Sequence, residues 1–421
     1  MDPATTDPAA GPADPLAGRR ILVGISGSIA AVKLPLVVSA LAKRGAQVRC
    51  VVTPSAERLV SPVALASLSR QPCHCDADQW SHRAPRPLHI ELAEWAELVL
   101  LAPLSATSLG RWVQGLGDTL LASLLLATEA PVLAAAAMNT AMWASPGVAR
   151  NWADLQGYGQ VLPLGPAEGL LACDRQGAGR MAEPELLLLA LESLALWGCR
   201  RDWQGRRLLV TAGPTREWLD PARCLSNPST GRMGVLLAQA ARLRGAQVDL
   251  VHGPLDLPPA WLEGLRCYPI DSGAELQERL RQLQPEAEAI AMAAAVADHR
   301  RAAPLAAKLD KASLAAALEG GWQPVPDLLA ELVARRPAGQ RILGFAAQSG
   351  AVLPEARAKF ARKGCDLLFA NPIDRPGVGF ASAANEGWLL GPGAQELRLE
   401  PASKLALAHR LLTALGALLP G

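Results

Sequence analysis

GRRILVGISGS at residues 18–28 and GRRLLVTAGPT at residues 205–215 begin the same pattern twice in one chain. In both, a basic pair leads into a short apolar run and then a turn rich in Gly, Ser and Thr. The echo continues downstream, where LAKRGAQVRCVV at 41–52 is answered by AARLRGAQVDLV at 240–251. Strand, glycine turn, helix and second strand, repeated, predict two α/β units in tandem. The spacing differs: 25 residues separate Arg20 from Gly45, and 38 separate Arg207 from Gly245. The second unit therefore carries 13 extra residues, within REWLDPARCLSNPSTG at about 216–231.

At 421 residues and 50% apolar content, the chain can bury two or three cores. Its 41 basic and 39 acidic residues leave a net charge of +2 without a basic stripe, so nucleic acid is not an indicated partner. The apolar stretches at 118–138 and 184–197 are cut by Glu129, Pro131, Glu185 and Glu192, which argues against a membrane span. Residues 1–18, rich in Ala, Pro and Asp, lack the features of a signal peptide and read as a disordered tail. Eight scattered cysteines point to reduced thiols and a cytoplasmic protein.

In the first unit, Arg20–Val23 reads as a buried parallel strand. The turn GISGSIAAVK at 24–33 opens a helix ending near Gly45, and small residues at Gly24, Gly27 and Ser28 allow a phosphate close to its N–H groups. A tight turn alone explains the pattern equally well, and it is not GxGxxG. The second strand ends in Thr53, where a dinucleotide enzyme usually places an acid for the ribose, so a mononucleotide is preferred over NAD. Another buried strand, Leu98–Ala102, opens into Pro103, Ser105, Thr107 and Ser108. His89 lies just before a helix, either structural or facing the same pocket. Asn139 follows a third strand, where it can hold a carboxylate or form a turn. ACDRQGAGRMAEP at 172–184 is a glycine-rich lid or connector carrying Cys173. Cys73, His74 and Cys75 resemble a metal site, but no second Cys/His pair lies at zinc spacing.

In the second unit, SNPSTGRMG at 226–234 precedes a helix, with Ser229 and Thr230 as N-cap candidates and its N-terminus as a second phosphate site. No Walker loop occurs. The run AIAMAAAVAD at 289–298 reads as a strand ending in Asp298, suited either to Mg²⁺-nucleotide or to a helix N-cap. KLDK at 308–311, PVPDLL at 324–329 and the strand ILGFAAQ at 342–348 follow. Lys359 and Lys363 share one helix face, where Glu355 can pair with the first and the helix C-terminus suits the second. NPIDRPGVGF at 371–380 reads as a loop before a strand or hairpin, and 401–415 as an amphipathic helix.

GISGSIAAVK, LHIELAEWAELVLLAP, AMNTAMW and ACDRQGAGRM together resemble the flavin-dependent cysteine decarboxylases, specifically phosphopantothenoylcysteine decarboxylase. The resemblance implies bound FMN, with Gly27, Ser28, Thr53, Ser105 and Thr107 near its phosphate and ribityl chain. It also implies His89 as base or orienting group, Asn139 on the substrate carboxylate and Cys173 as acid on a flap. PLSATS at 103–108 departs from the family's PxxANT. The second unit resembles phosphopantothenate–cysteine ligase through TAGPTRE, LDPxR, SNxSxGxMG, AAVADxR, a lysine loop and GFAA in the family's order. That resemblance makes the insertion a substrate loop, puts Asn227 on the acyl intermediate and sets Lys308 on the triphosphate. It places Ala294, Asp298, Pro326, Asp327, Leu328, Leu329, Phe345, Lys359 and Lys363 around CTP, with Asp298 as the candidate Mg²⁺ ligand. The family's KIKK is KLDK here, with Asp310 in place of a lysine.

The expected architecture is thus two tandem Rossmann-like three-layer α/β domains with mainly parallel sheets, at 19–195 and 205–421, joined by a linker at 196–204. The expected activity is bifunctional. The second unit joins cysteine to 4′-phosphopantothenate through an acyl-CMP intermediate, and the first decarboxylates the product to 4′-phosphopantetheine. By resemblance the chain forms homo-oligomers, with trimeric contacts of the first unit and dimeric contacts of the second, up to a dodecamer. Two rivals are a flavin-binding regulatory protein, which has no need of Cys173, and an NAD-dependent oxidoreductase, which lacks its ribose acid.

Overall fold

Short apolar runs build the first sheet. The structure, a computed structural model, describes residues 13–81, 86–170, 174, 176–375, 377–379 and 381–420. Strands β1 (Arg20–Ile25), β2 (Gln47–Val52), β3 (Cys73–His74), β4 (Leu98–Leu104), β5 (Val132–Ala136) and β6 (Val161–Leu164) form one parallel sheet in the order β3-β2-β1-β4-β5-β6. Every residue of β4 and β5 is buried, as expected of a parallel sheet covered on both faces. A 3₁₀ turn, Ile29–Lys33, precedes the helix Leu34–Lys43, and Gly45 follows it at φ +83°. Gly24 lies within β1, where a Cβ would meet Leu121 at 2.7 Å. It serves packing. An antiparallel hairpin, β7 (Ala167–Leu170) with β8 (Gln176–Arg180), completes this unit's strands.

Residues 14–18, assigned to the tail by composition, pack into this unit. Leu16 is fully buried, and Asp14 pairs with Arg44 at 2.6 Å. The unit extends from Asp14 to Arg200, and the second begins at Arg201.

In the second unit, β9 (Arg207–Ala212) is followed by a hairpin of β10 (Arg216–Asp220) and β11 (Arg223–Ser226). The insertion thus folds as an antiparallel ribbon. Strands β12 (Gln247–His252), β13 (Arg266–Pro269) and β14 (Ala289–Met292) return to the main sheet. A second small hairpin joins β15 (His299–Arg301) to β16 (Trp322–Pro324). Then come β17 (Arg341–Gln348), β18 (Leu367–Pro372), β19 (Ala384–Gly391) and β20 (Gln395–Ser403). The main sheet runs β13-β12-β9-β14-β17-β18-β19-β20, parallel through β18 and antiparallel for the last two. By position along the chain, both sheets use the order 3-2-1-4-5-6, whose switch point lies between the first and fourth strands.

The helices Arg232–Leu243 and Lys404–Gly416 pack against each other. Just after the first of them, Arg244 is 1% exposed and donates to the carbonyl of His409 at 2.9 Å. Among the described residues, no helix is long and apolar enough to cross a membrane.

Candidate functional site

The carboxyl edge of the first sheet is tied together strand by strand. Thr53 N–H donates to the Ile25 carbonyl at 3.0 Å, and Ala137 N–H to Leu104 at 3.1 Å. Between them, the fully buried Ser26 hydroxyl donates to the Pro103 carbonyl at 2.7 Å and accepts the Ser105 N–H at 2.8 Å. Ser26 is therefore the organising residue of the switch point. Sequence reasoning passed over it because one serine in GISGS looks like another.

Gly27 follows, and a Cβ there would lie 2.4 Å from the Ser55 Cβ. Thr53 and Ser105 cap the next helices, accepting N–H groups from Ala56 and Ser108 at 3.3 Å each. Thr107 is exposed on the first turn of the helix Ala106–Val113. Ser28 and Asn139 line one cavity of ≈ 500 Å³ together with Lys33, Met138, Gly179 and Arg180. Asn139 accepts the Ala141 N–H at 2.8 Å, capping a short helix. The Met138 N–H donates to Gly179 at 3.0 Å, and Lys33 pairs with Glu183 at 2.6 Å, which holds β8 against this edge.

His89 is the second residue of the helix Leu88–Trp95 and is not among the residues lining that cavity. Its Nδ1 is buried without a hydrogen-bond partner among the described residues, as is the Thr140 hydroxyl. A buried polar group left without a partner is costly in a protein interior. Cys173 lies outside the described residues. The seven described cysteines are free thiols, and among the described residues no cluster of three or more His, Cys, Asp or Glu side chains is arranged to hold a metal ion.

In the second unit the same switch point is held by two buried threonines. Thr211 Oγ1 accepts the Ala294 N–H at 2.9 Å, and Thr215 Oγ1 accepts the Ala297 N–H at 3.1 Å. Both residues are fully buried. The strand expected to reach Asp298 stops at Met292, because these hydroxyls draw the backbone of the following segment away from the sheet ladder. Asp298 lies in that loop and lines a cavity of ≈ 640 Å³. Asn227, Ala294, Pro326, Asp327, Leu328, Leu329, Phe345, Lys359 and Lys363 line the same cavity. Asn227 donates its amide hydrogens to the Ala295 and Val296 carbonyls at 3.2 Å each, leaving Oδ1 as its remaining acceptor.

Asp327 caps the helix Leu328–Ala334, accepting Ala330 N–H at 3.1 Å, and also binds the Lys363 ammonium. Burial pushes its carboxyl up, but the Lys363 and Ala330 hydrogen bonds outweigh burial and hold it below the ordinary value. Burial, then the Lys363 and Arg362 charges, lowers the Lys359 ammonium, which donates to the Phe345 carbonyl at 3.4 Å. Lys359 and Lys363 thus face the cavity wall instead of Glu355 and the end of their own helix.

Two N-cap readings differ from the structure. Gly231, at φ +77°, caps the helix Arg232–Leu243, while Ser229 and Thr230 accept the N–H groups of Gly231 and Arg232 at 3.3 and 3.4 Å. A side chain at 231 would strike Leu255 at 2.2 Å, which is why the cap is glycine and not a hydroxyl residue. Lys308 is exposed and does not line the cavity. Its neighbour Leu309 is gripped by the inserted hairpin: Asp220 accepts its N–H at 3.1 Å and Arg223 donates to its carbonyl at 3.2 Å. Asp310, in place of a lysine, accepts the Ser313 N–H at 2.8 Å and caps the helix Lys311–Glu319.

Residues 11–195 match the flavoprotein family model, and residues 203–418 match the C-terminal domain of the DNA/pantothenate metabolism flavoproteins. The chain is 37% identical over 398 residues to the coenzyme A biosynthesis bifunctional protein CoaBC of Vibrio vulnificus strain YJ016, covering 94% of this chain and 97% of that protein. It is 38% identical over 431 residues to the protein of the same name from Mycobacterium tuberculosis strain H37Rv, covering 96% and 97%. Among solved structures, a PPC decarboxylase mutant complexed with pantothenoylaminoethenethiol is 35% identical over 40% of this chain and 94% of that one, with a TM-score of 0.38. The C-terminal domain of a coenzyme A biosynthesis bifunctional protein is 26% identical over 52% and 97%, with a TM-score of 0.42. Matched by both family models and by relatives along nearly their whole length, the chain belongs to the family of coenzyme A biosynthesis bifunctional proteins.

Proposed function

We propose that the two switch points carry consecutive reactions: CTP-dependent ligation of cysteine to 4′-phosphopantothenate in the second unit, and FMN-dependent decarboxylation of the product in the first. The observation that carries this reading is the pair of hydroxyl-stapled strand edges, one per unit, each beside its own cavity.

In the second unit the carboxylate of phosphopantothenate is a poor electrophile until nucleotidyl transfer converts it to acyl-CMP. Asn227 orients the acyl chain through Oδ1, because its amide hydrogens are held by Ala295 and Val296. The Asp327–Lys363 pair, Lys359 and Phe345 form the nucleotide wall. Lys308, on a loop held by Asp220 and Arg223, neutralises charge on the transferring phosphoryl group. Asp298, whose side chain lines the cavity, would hold a Mg²⁺ accompanying the nucleotide, and that cation would offset phosphate charge there. The cysteine amine then displaces CMP.

In the first unit the residues fit a flavin mononucleotide. Gly27 offers a bare backbone beside Ser55, Ser28 faces the cavity, and the His89 Nδ1 and Thr140 hydroxyl have hydrogen-bonding capacity unused by the described residues. FMN, when bound, supplies the reversible two-electron chemistry that decarboxylation of an ordinary carboxamide lacks. Gly27, Ser28, Thr53, Ser105 and Thr107 would hold its phosphate and ribityl chain. Asn139 holds the substrate carboxylate, His89 orients or deprotonates the substrate, and Cys173 returns a proton to the enethiolate. The product leaves as 4′-phosphopantetheine. We further propose a cytoplasmic homo-oligomer.

Incubation with phosphopantothenate, cysteine and each nucleotide, following CO₂ and nucleoside monophosphate, tests both halves. CMP formation followed by CO₂ release from a yellow protein is the expected result. A colourless protein that cannot be reconstituted with FMN overturns the first-unit reading, and absence of CMP overturns the second.

A further inference from the structure

Two cations in the second-unit cavity have no part in the reading above. Lys404 is 4% exposed and lines the cavity, as does the half-buried Arg232. The Lys404 ammonium donates to the Gly379 carbonyl at 2.8 Å, and among the described residues neither cation forms an ion pair. Arg244, the other buried cation of this unit among the described residues, meets Asp202, and the half-buried Lys363 meets Asp327, whereas Lys359 on the same cavity donates only to the Phe345 carbonyl. Only Asp298 and Asp327 supply carboxylates to the cavity lining, and Lys363 already occupies Asp327.

A buried ammonium facing a second cation is costly unless an anion completes the site. Burial, and then the charge of Arg232, pulls the Lys404 ammonium down to about 8. The backbone adds to the positive potential. Lys404 and Arg232 are the first residues of the helices Lys404–Gly416 and Arg232–Leu243, which pack against each other. Both helices thus begin on this cavity, and a helix N-terminus carries partial positive charge. Ser229 and Thr230 line the same cavity and offer hydroxyl donors.

We propose that Arg232 and Lys404 form a subsite for a phosphate group of a ligase substrate. The proposal rests on the ligase reading of the second unit. Two phosphates have the right chemistry: the phosphomonoester of phosphopantothenate and the polyphosphate tail of the nucleotide. Lys404 and Arg232 meet that group with charge-assisted hydrogen bonds.

The test uses the full chain with Lys404→Gln, Lys404→Arg and Arg232→Gln, measuring KM for CTP, phosphopantothenate and cysteine in turn with the others saturating. The glutamine variants are expected to raise one phosphate-bearing substrate's KM by about 10- to 100-fold, with cysteine's unchanged and most of the loss restored in Lys404→Arg. A rise for phosphopantothenate alone assigns the subsite to the phosphomonoester, and a rise for CTP alone assigns it to the nucleotide tail. No change in either KM, or equal changes for all three substrates, overturns the proposal. Arg232→Gln leaves the Lys404–Gly379 contact intact, so it remains informative if Lys404→Gln destabilises the loop. Titration with inorganic phosphate, followed calorimetrically, separates this idea from the ligase reading. Phosphate binding weakened in both glutamine variants supports the subsite even in a chain that turns over no CTP, and equal binding by wild type and variants refutes it.

Discussion

Replacing Thr211 and Thr215 by valine, singly and together, probes the part of the second unit on which its whole cavity depends. Each hydroxyl is fully buried and accepts one loop N–H, from Ala294 at 2.9 Å and from Ala297 at 3.1 Å. Valine keeps nearly the same shape and removes the hydroxyl that accepts the loop N–H, at Thr211 together with its weak donation to the Met292 sulfur at 3.4 Å, so the main loss is that of a buried donor left unpaired, about 1–3 kcal/mol at each site. Local opening of residues 293–298 should therefore become roughly 5- to 150-fold more frequent in each single variant. Because both hydroxyls hold one short loop, the double variant should fall short of the sum of the singles. Hydrogen exchange resolved to the peptide covering Ala294–Asp298 reads the opening directly. The KM for CTP should rise with it, since Ala294 and Asp298 line the cavity. The first unit provides the internal control, as its flavin content and decarboxylation should not change. Unchanged exchange at 293–298 in both single variants would refute the staple, as would strict additivity in the double variant.

Gly27→Ala places a methyl group where the Ser55 Cβ lies 2.4 Å away, so flavin bound per chain should fall at least about tenfold while ligase activity persists; undiminished flavin absorbance counts against the cradle. Asp220→Asn removes the charged acceptor of the Leu309 N–H and the partner of Arg223, freeing the loop that carries Lys308. Nucleotidyl transfer should slow about tenfold or more with decarboxylation intact, and an unaltered rate of CMP release means the clamp is idle. Lys363→Met tests the ion pair through pH. The Asp327 carboxyl is held below its ordinary value, so its stabilising contribution is complete above about pH 3.9 and is lost as pH falls through the lowered folded value. Without Lys363, burial should dominate and move the titration upward. Carboxyl-carbon NMR of Asp327 reads this, and a midpoint that stays put contradicts the assignment.

Buried parallel strands declare themselves as short apolar runs, which is why β1 and β9 were legible from the repeat and β4 from its own apolar run. Side chains that act across a sheet leave no such mark. Thr211 reads as the end of a strand and Thr215 as part of a turn, yet their partners lie 83 and 82 residues away. The insertion gave no strand signal because Arg216–Asp220 and Arg223–Ser226 are short and partly charged, so hairpin pairing with β11, not apolar alternation, defines them. Asp310 looked like a missing lysine in a phosphate loop, and only the start of the helix at Lys311 shows it to be a cap.

The same limitation hid the closest parallel between the units. At a switch point the first and fourth strands diverge, and the loops beyond them leave the sheet ladder with N–H groups still to satisfy. In the first unit the Ser26 hydroxyl, just past β1, accepts the N–H of Ser105 just past β4. In the second, Thr211 in β9 accepts the N–H of Ala294 just past β14. One hydroxyl on the first strand's edge pins the fourth strand's loop in both, although the two residues are not at equivalent positions in the repeated turn. A shared fold therefore imposes a shared staple at the switch point. The loops beyond the staple, Asn139 with the β7–β8 hairpin in one unit and Asn227 with the inserted hairpin in the other, are left free to take different substrates.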